Sequence, residues 1–465
     1  MYFDVRGLEV HAADQETVEQ LDAAIGAYLG SERSAPDRVK DILLRDPYCP
    51  LAHVLQGYFE MQAARPEMVA RARVSLAQAD GITPPLNARE ALHTNALRAW
   101  IDGDLPLAVE CWEAILVEHP RDLLAIRLAQ FMTSYLGRSR DILASVERVF
   151  SRWDPQIPGY GYLLGCLAYG LEEAGEYSQA ERSGREAVQL NPRDLWAAHA
   201  VAHVMEMQAR PREGLAWMTS LEPGWTSCNN FVRHLKWHRA LYLLTLREFD
   251  CAMQVYDREV RGAWSDEYLD LANAASLLWR LEQEKVDVGS RWEELAECVL
   301  PHRDDHLFVF ADLHYMLAAS AAGPATGNSF LASCAAFAES ESGAQSVVMK
   351  QVGLDVAAAI VSHREGEYAG ALGRLFPTRA QLNLIGGSHA QRDTFERLLI
   401  DSAVRSGDTE KARQLLMERI ATRRDDLWAW KTLKQFAEAA AFREDAARAA
   451  EEIRRLSGSF EAQGA

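Results

Sequence analysis

The sequence has no Cys-x-x-Cys pair, no Asn-Gly turn and no uninterrupted apolar run near the roughly 20 residues a membrane span needs. Its seven cysteines, Cys49, Cys111, Cys166, Cys228, Cys251, Cys298 and Cys334, are odd in number and widely scattered. That excludes a disulfide framework and a cysteine-based zinc module, and fits reduced thiols in a cytoplasmic setting. The opening MYFDVRGLEVHAAD lacks the basic region and apolar block of a secretory signal. Basic charge is also short, with 49 Lys and Arg against 67 Asp and Glu for a net charge of −18. An acidic surface repels phosphate backbones, so nucleic acid is not expected as a partner, and neither is a membrane. Alternating Val/Ile/Thr runs are few, which leaves little from which to build a sheet.

What the 465 residues do contain is one pattern, repeated. In Gly161–Asp194 two amphipathic stretches flank Ala174-Gly175-Glu176-Tyr177, and Asn191-Pro192 closes the second. Small residues Ala168 and Ala180 lie twelve apart, and the same spacing recurs at Ala96/Ala108, Ala202/Gly214, Ala240/Ala252 and Ala359/Ala371. Turns recur as well, at Gly103-Asp104, Arg247-Glu248, Gly366-Glu367 and Gly407-Asp408, while Glu60–Ala63 echoes Glu206–Ala209, each before an Arg-Pro step. This resembles the tetratricopeptide repeat, a 34-residue helix–turn–helix whose small residues let paired helices approach closely. The expected fold is an all-α, tetratricopeptide-repeat-like solenoid of roughly ten helical hairpins. Residues 1–35 are expected to form an N-terminal cap and 36–465 a single continuous solenoid, with longer connections at 151–160, 222–231, 284–290, 322–329 and 378–388.

Four of the thirteen histidines fall between Asp194 and Leu241 in two identical spacings, His199 with His203 and His234 with His238. Residues four apart on a helix face the same way, so each of two neighbouring helices displays a pair. Counting a unit from Leu195 puts Trp196, His199, His203 and Glu206 at positions that line the concave surface of such repeats. The same counting places His93 inward, and the internal echo makes His53 the equivalent of His199. His199-Ala-Val-Ala-His203 has the zincin spacing, but Ala200 stands where that motif needs its glutamate base, which excludes that protease chemistry. Three readings stay open: a wet polar groove, acid–base or ligand hydrogen bonding, and one transition-metal ion on His199, His203, His234 and His238. For the last, Zn, Fe and Cu all suit imidazole. Glu206 is then a ligand, a base or a partner orienting His203.

A second stretch, Ile385-Gly386-Gly387-Ser388-His389-Ala390-Gln391-Arg392, offers a tight glycine turn and a helix start beside Arg392, an arrangement suited to a carboxylate or phosphate. His314, in Ala311-Asp-Leu-His-Tyr-Met, sits on a further first helix. The segments DLWAAHAVAHVMEMQ, HLKWHRAL, DLHYMLA and IGGSHAQRD, in that order, resemble the tetratricopeptide repeat protein 38 family. The resemblance implies an α-helical solenoid in which His199, His203, His234, His238, His314 and His389 share one site. The function expected is binding of a small acidic metabolite or peptide in a histidine-rich concave groove. His53, His93, Trp196, His234, His238, His314, His389 and Arg392 are the contacts expected there. The alternative is a metal-dependent enzyme in which His199, His203, Glu206 and His389 are the catalytic candidates.

Overall fold

The computed structural model describes residues 2–83, 86–341 and 343–462. α-Helices follow one another from Gln15–Leu29 to Arg443–Ala462, and the only sheet among the described residues pairs Tyr2–Phe3 with Glu9–Val10. The fold is thus an all-α solenoid of the tetratricopeptide type. The sequence expects irregular chain over 322–329, but a helix begins there at Pro324 and continues as Pro324–Glu339. Proline's fixed φ suits a first helical turn, which explains why a Gly-Pro step starts a helix here.

Local chemistry sets where helices start and how closely they pack. Asp14, Asp104, Asp122, Asp194, Asp408 and Asp426 each accept a hydrogen bond from an otherwise orphaned amide of the helix that follows. Ala96, Ala108, Ala168, Ala180, Ala202, Ala240, Ala252, Ala359 and Ala371 are all fully buried at helix–helix contacts. At Gly214 a Cβ would lie 2.3 Å from the Tyr242 ring, so the smallness there is obligatory. The two Arg-Pro turns paired by sequence share one backbone form, with φ of 50° at Ala64 and 52° at Ala209.

Turns of the superhelix touch one another across the concave side. Near the start, Asn229 N donates to Ser31 O at 2.7 Å and Arg33 N to Ser227 O at 3.0 Å. Across the middle, the Tyr135 and Tyr268 hydroxyls are 2.9 Å apart, and Asn383 Nδ2 donates to Gly137 O at 3.0 Å. Further on, Arg280 donates to Thr394 Oγ1 and to the Ala390 carbonyl, each at 2.7 Å. The Gly343–Arg364 helix is long and apolar enough to cross a bilayer by length and composition, yet 61% of its most apolar window is buried inside the protein.

Gly137 is a test of these contacts. Its φ is +66°, and a Cβ would fall 1.8 Å from the Asn383 carbonyl oxygen. Gly175, with φ +85°, has open space instead. Gly175→Ala should cost only the left-handed backbone term of about 1–2 kcal/mol. Gly137→Ala should cost clearly more, read as the shift in urea midpoint; equal losses would show that the 137–383 contact does not hold the turns together.

Candidate functional site

Asp194 Oδ1 accepts from the Trp196 and Ala197 amides, each at 3.1 Å, and so fixes the start of the Leu195–Met207 helix. His199 and His203 then stand one turn apart on one face. The Phe231–Thr245 helix lies alongside and presents His234 and His238 in the same way. One ring nitrogen from each of the four lies within 4.8 Å of the other three, and no ring is more than 3% exposed. Sequence expects the two pairs to meet, and they do.

A second set of groups fixes each ring's orientation. His234 Nδ1 donates to Asn273 Oδ1 at 3.0 Å, so a neutral ring carries its lone pair on Nε2. His199 Nε2 lies 2.9 Å from that nitrogen. His238 Nδ1 is 2.9 Å from Glu206 Oε2, and His203 Nδ1 is 3.3 Å from Glu172 Oε2. Glu206 therefore orients His238 rather than His203, because Glu172 occupies the His203 side. Both ring nitrogens of His203, Nε2 of His238 and Nδ1 of His199 are buried without a hydrogen-bond partner.

Burial strongly disfavours the charged forms of His199 and His238 and pushes His234 down to about 3. These rings are neutral and carry lone pairs at neutral pH. His203 differs: burial opposes its charge, but the Glu172 carboxylate outweighs burial and raises its pKa. Burial also opposes the Glu172 charge, yet His389 and His203 hold that carboxyl down at about 2. His389 Nε2 is 3.4 Å from Glu172 Oε1 and 3.5 Å from Glu173 Oε1. Burial works against its protonation too, but the two carboxylates prevail and bring it to about 9.

The cluster forms the inner end of a cavity of about 750 Å³ whose walls include Phe131, Tyr169, Trp196 and Phe231 and whose floor reaches His199 and His234. Arg127, on the Leu123–Tyr135 helix, lines the same cavity. It is 8% exposed, with its guanidinium 3.9 Å above the Trp196 ring. Among the described residues no carboxylate stands within ion-pair distance of it. Trp196 is held in place by donating Nε1–H to Gln130 Oε1 at 2.9 Å.

Other residues expected in the site lie elsewhere. His53 Nε2 donates to Pro47 O at 2.9 Å, far along the chain in the first hairpins. His93 bridges Asp122 at 3.1 Å and Tyr58 at 3.2 Å inside a fully buried network with Trp112. His314 donates Nδ1–H to Phe310 O at 2.7 Å and packs against Phe395, so it serves an apolar seam. His389 reaches His203 only through Glu172. Arg392 gives its guanidinium to the Gly387 carbonyl and stands 4.0 Å from Glu173, while the Ser388 amide donates to Gln391 Oε1 at 2.9 Å. Both glycines of the turn have positive φ, and the two groups expected to seat an anion there, Arg392 and the Ser388 amide, are engaged locally.

Sequence reasoning missed Glu172, Glu173, Asn273 and Arg127. For Glu172 a signal was present, since it precedes Glu206 by 34 residues, one repeat length. Arg127 carries none, because nothing in the sequence tells an unpaired arginine from a paired one.

No family model matches the chain. Solved structures similar to it include the human IFIT1 dimer with m7Gppp-AAAA, at 12% identity and TM-score 0.42, covering 96% of this chain and 95% of that one. Yeast Tom70 is similar at 12% identity and TM-score 0.36, covering 93% of this chain and 90% of that one. A tetratricopeptide repeat protein from Parabacteroides merdae is similar at 16% identity and TM-score 0.36, covering 57% of this chain and 100% of that one. These likenesses extend to helical-repeat architecture alone. Kinship with the tetratricopeptide repeat protein 38 family stays an expectation from the quoted motifs.

The His389 pair has a measurable consequence. Its pKa is raised when folded, so its contribution is complete below the ordinary histidine value of 6.5 and disappears as pH rises through about 9. The urea midpoint of the wild type should therefore fall more steeply between pH 6.5 and 9.5 than that of His389→Gln. Parallel curves would mean that the charge on His389 contributes nothing to folding.

Proposed function

We propose that this solenoid binds a small organic acid in the aromatic-walled cavity. The carboxylate sits on Arg127 and the rest of the molecule extends toward His199 and His234. The observation that supports this most is Arg127 itself, a buried cation that lines the cavity with no carboxylate in ion-pair contact, although Asp194 is near enough to feel its charge. Burying a charge without a counter-ion is costly, and a ligand carboxylate offsets that cost through charge-assisted hydrogen bonds. Stacking on Trp196 uses the face of the guanidinium and leaves its N–H edge for a planar, bidentate partner.

Two further observations set the size and body of the ligand. A cavity of about 750 Å³ falls in the range occupied by small molecules. The contacts between superhelical turns border it and interrupt a continuous groove, which favours a small acid over an extended peptide. Walls of Phe131, Tyr169, Trp196 and Phe231 favour a flat apolar body. The net charge of −18 disfavours a polyanionic partner, and seven free cysteines suit a reducing, cytoplasmic setting.

Phenylacetate and its uncharged counterpart phenylacetamide separate charge from shape. By calorimetric titration phenylacetate should bind at least tenfold more tightly than the amide, and Arg127→Met should abolish that preference, consistent with the roughly 1.5–3 kcal/mol of a hydrogen bond to a charged group. Binding of acid and amide with equal affinity, absence of binding by either, or an unaltered preference in Arg127→Met would each overturn the proposal.

A further inference from the structure

We infer that His199, His203, His234 and His238 form a mononuclear transition-metal centre at the floor of the cavity, with Glu206, Glu172 and Asn273 as the groups that orient its ligands. This concerns the same cavity as the organic acid but does not depend on that acid binding. It rests on three observations made above.

The first is convergence. Four imidazoles from two helices offer nitrogens within 4.8 Å of one another. Nitrogens each about 2.1 Å from one tetrahedral ion stand roughly 3.4 Å apart. Small ring rotations separate the 2.9 Å His199–His234 contact to that distance and draw the wider pairs inward.

The second is the outer set. A ligating histidine uses its remaining N–H on a carboxylate or carbonyl, which fixes the tautomer and turns the other nitrogen toward the ion. As a hydrogen bond that arrangement occurs twice here, Glu206 on His238 Nδ1 and Asn273 on His234 Nδ1, while Glu172 stands 3.3 Å from His203 Nδ1 as a charged neighbour. In the two bonded cases Nε2 is the nitrogen left for the centre. A histidine cluster that only filled space between helices would have no reason to repeat this one polarity.

The third is the set of nitrogens with no partner. His203 Nε2 and His238 Nε2 are buried and unbonded within the protein. A fully buried polar atom without a partner is uncommon and costs free energy. A cation in the centre satisfies both at once, and it replaces the 2.9 Å contact between His199 Nε2 and His234 Nε2, while His199 Nδ1 stays without a partner. The neighbouring Glu172, Glu173 and His203 also gather within 4.8 Å, but that set offers one nitrogen against four in the centre, and the His389 ring stands against both carboxylates.

The ligand chemistry narrows the ion. Nitrogen donors with no thiolate and no directly placed carboxylate exclude Mg²⁺ and Ca²⁺, which take oxygen, and favour a borderline divalent ion such as Zn²⁺, Co²⁺ or Cu²⁺. Four imidazoles bound as neutral donors bring no charge of their own, so the carboxylates of Glu172 and Glu206 behind His203 and His238 balance the ion. The cavity touches the centre on the His199 and His234 side, so an anionic ligand seated by Arg127 approaches a second positive charge there.

Co²⁺ titration of chelator-treated, tag-free full-length protein is the test, with Zn²⁺ competition and elemental analysis of the protein as purified. One Co²⁺ per chain should bind with visible d–d absorption and be displaced by Zn²⁺. His238→Gln should lose the ion, and Glu206→Gln should weaken it 10- to 100-fold by loosening the ligand it orients. If His238→Gln fails to fold by circular dichroism, Glu206→Gln decides alone, and unchanged affinity in that variant overturns the inference. Absence of Co²⁺ and Zn²⁺ binding by the folded wild type, or equal binding by folded His238→Gln, overturns it as well. Arg127→Met should keep the ion in full, so loss of the organic acid and loss of the metal register as separate results.

Discussion

The close approach of paired helices governs everything else in this molecule. Fully buried alanines at a twelve-residue spacing, and a glycine pressed against Tyr242, hold the members of each hairpin together. That contact sets the tilt of one hairpin on the next and keeps successive inner helices side by side. His199 and His234, and likewise His203 and His238, are 35 residues apart, almost one repeat. Register between neighbouring units, rather than any local loop, therefore places imidazole opposite imidazole.

Around those rings polarity changes with distance. Innermost are four imidazoles, three of them kept neutral by burial. Around them stand Glu206 and Asn273, each hydrogen-bonded to one ring nitrogen, and Glu172, 3.3 Å from a third. Beyond Glu206 the Asp393 carboxylate is shared among Arg397, Arg419 and Arg423, with Arg280 at 3.6 Å. Beyond Glu172 lie Glu173, His389 and Arg392. The cluster is thus backed by tightly paired charge on two sides and meets aromatic walls on the third. Such a layout holds the rings rigidly.

Much of this was legible in the chain and some was not, for physical reasons. Periodicity marks helices because burial repeats every turn, so the hairpins, their small-residue contacts and the left-handed turns at Gly103, Gly366 and Gly407 follow from spacing. Identical i, i+4 pairs on adjacent units likewise made the meeting of His199, His203, His234 and His238 predictable. Register cannot tell an inward ring that reaches the centre from one that ends in a neighbouring seam. His314, His93 and His53 share the inward register and are taken up by Phe310, Asp122 and Pro47. Arg392 and Arg127 illustrate the same limit: one is spent on a backbone carbonyl, the other faces the cavity.

The contacts between distant turns have an evolutionary corollary. Open helical-repeat proteins lengthen or shorten by whole units, because each unit touches only its neighbours. Here the carbonyl of Gly137 meets Asn383, Tyr135 meets Tyr268, and Ala344 donates to Gly103. Duplicating or deleting one hairpin between those partners would rotate them out of alignment and break several such contacts together. Inserting or deleting a hairpin between those partners thus carries a structural cost that an open solenoid does not have.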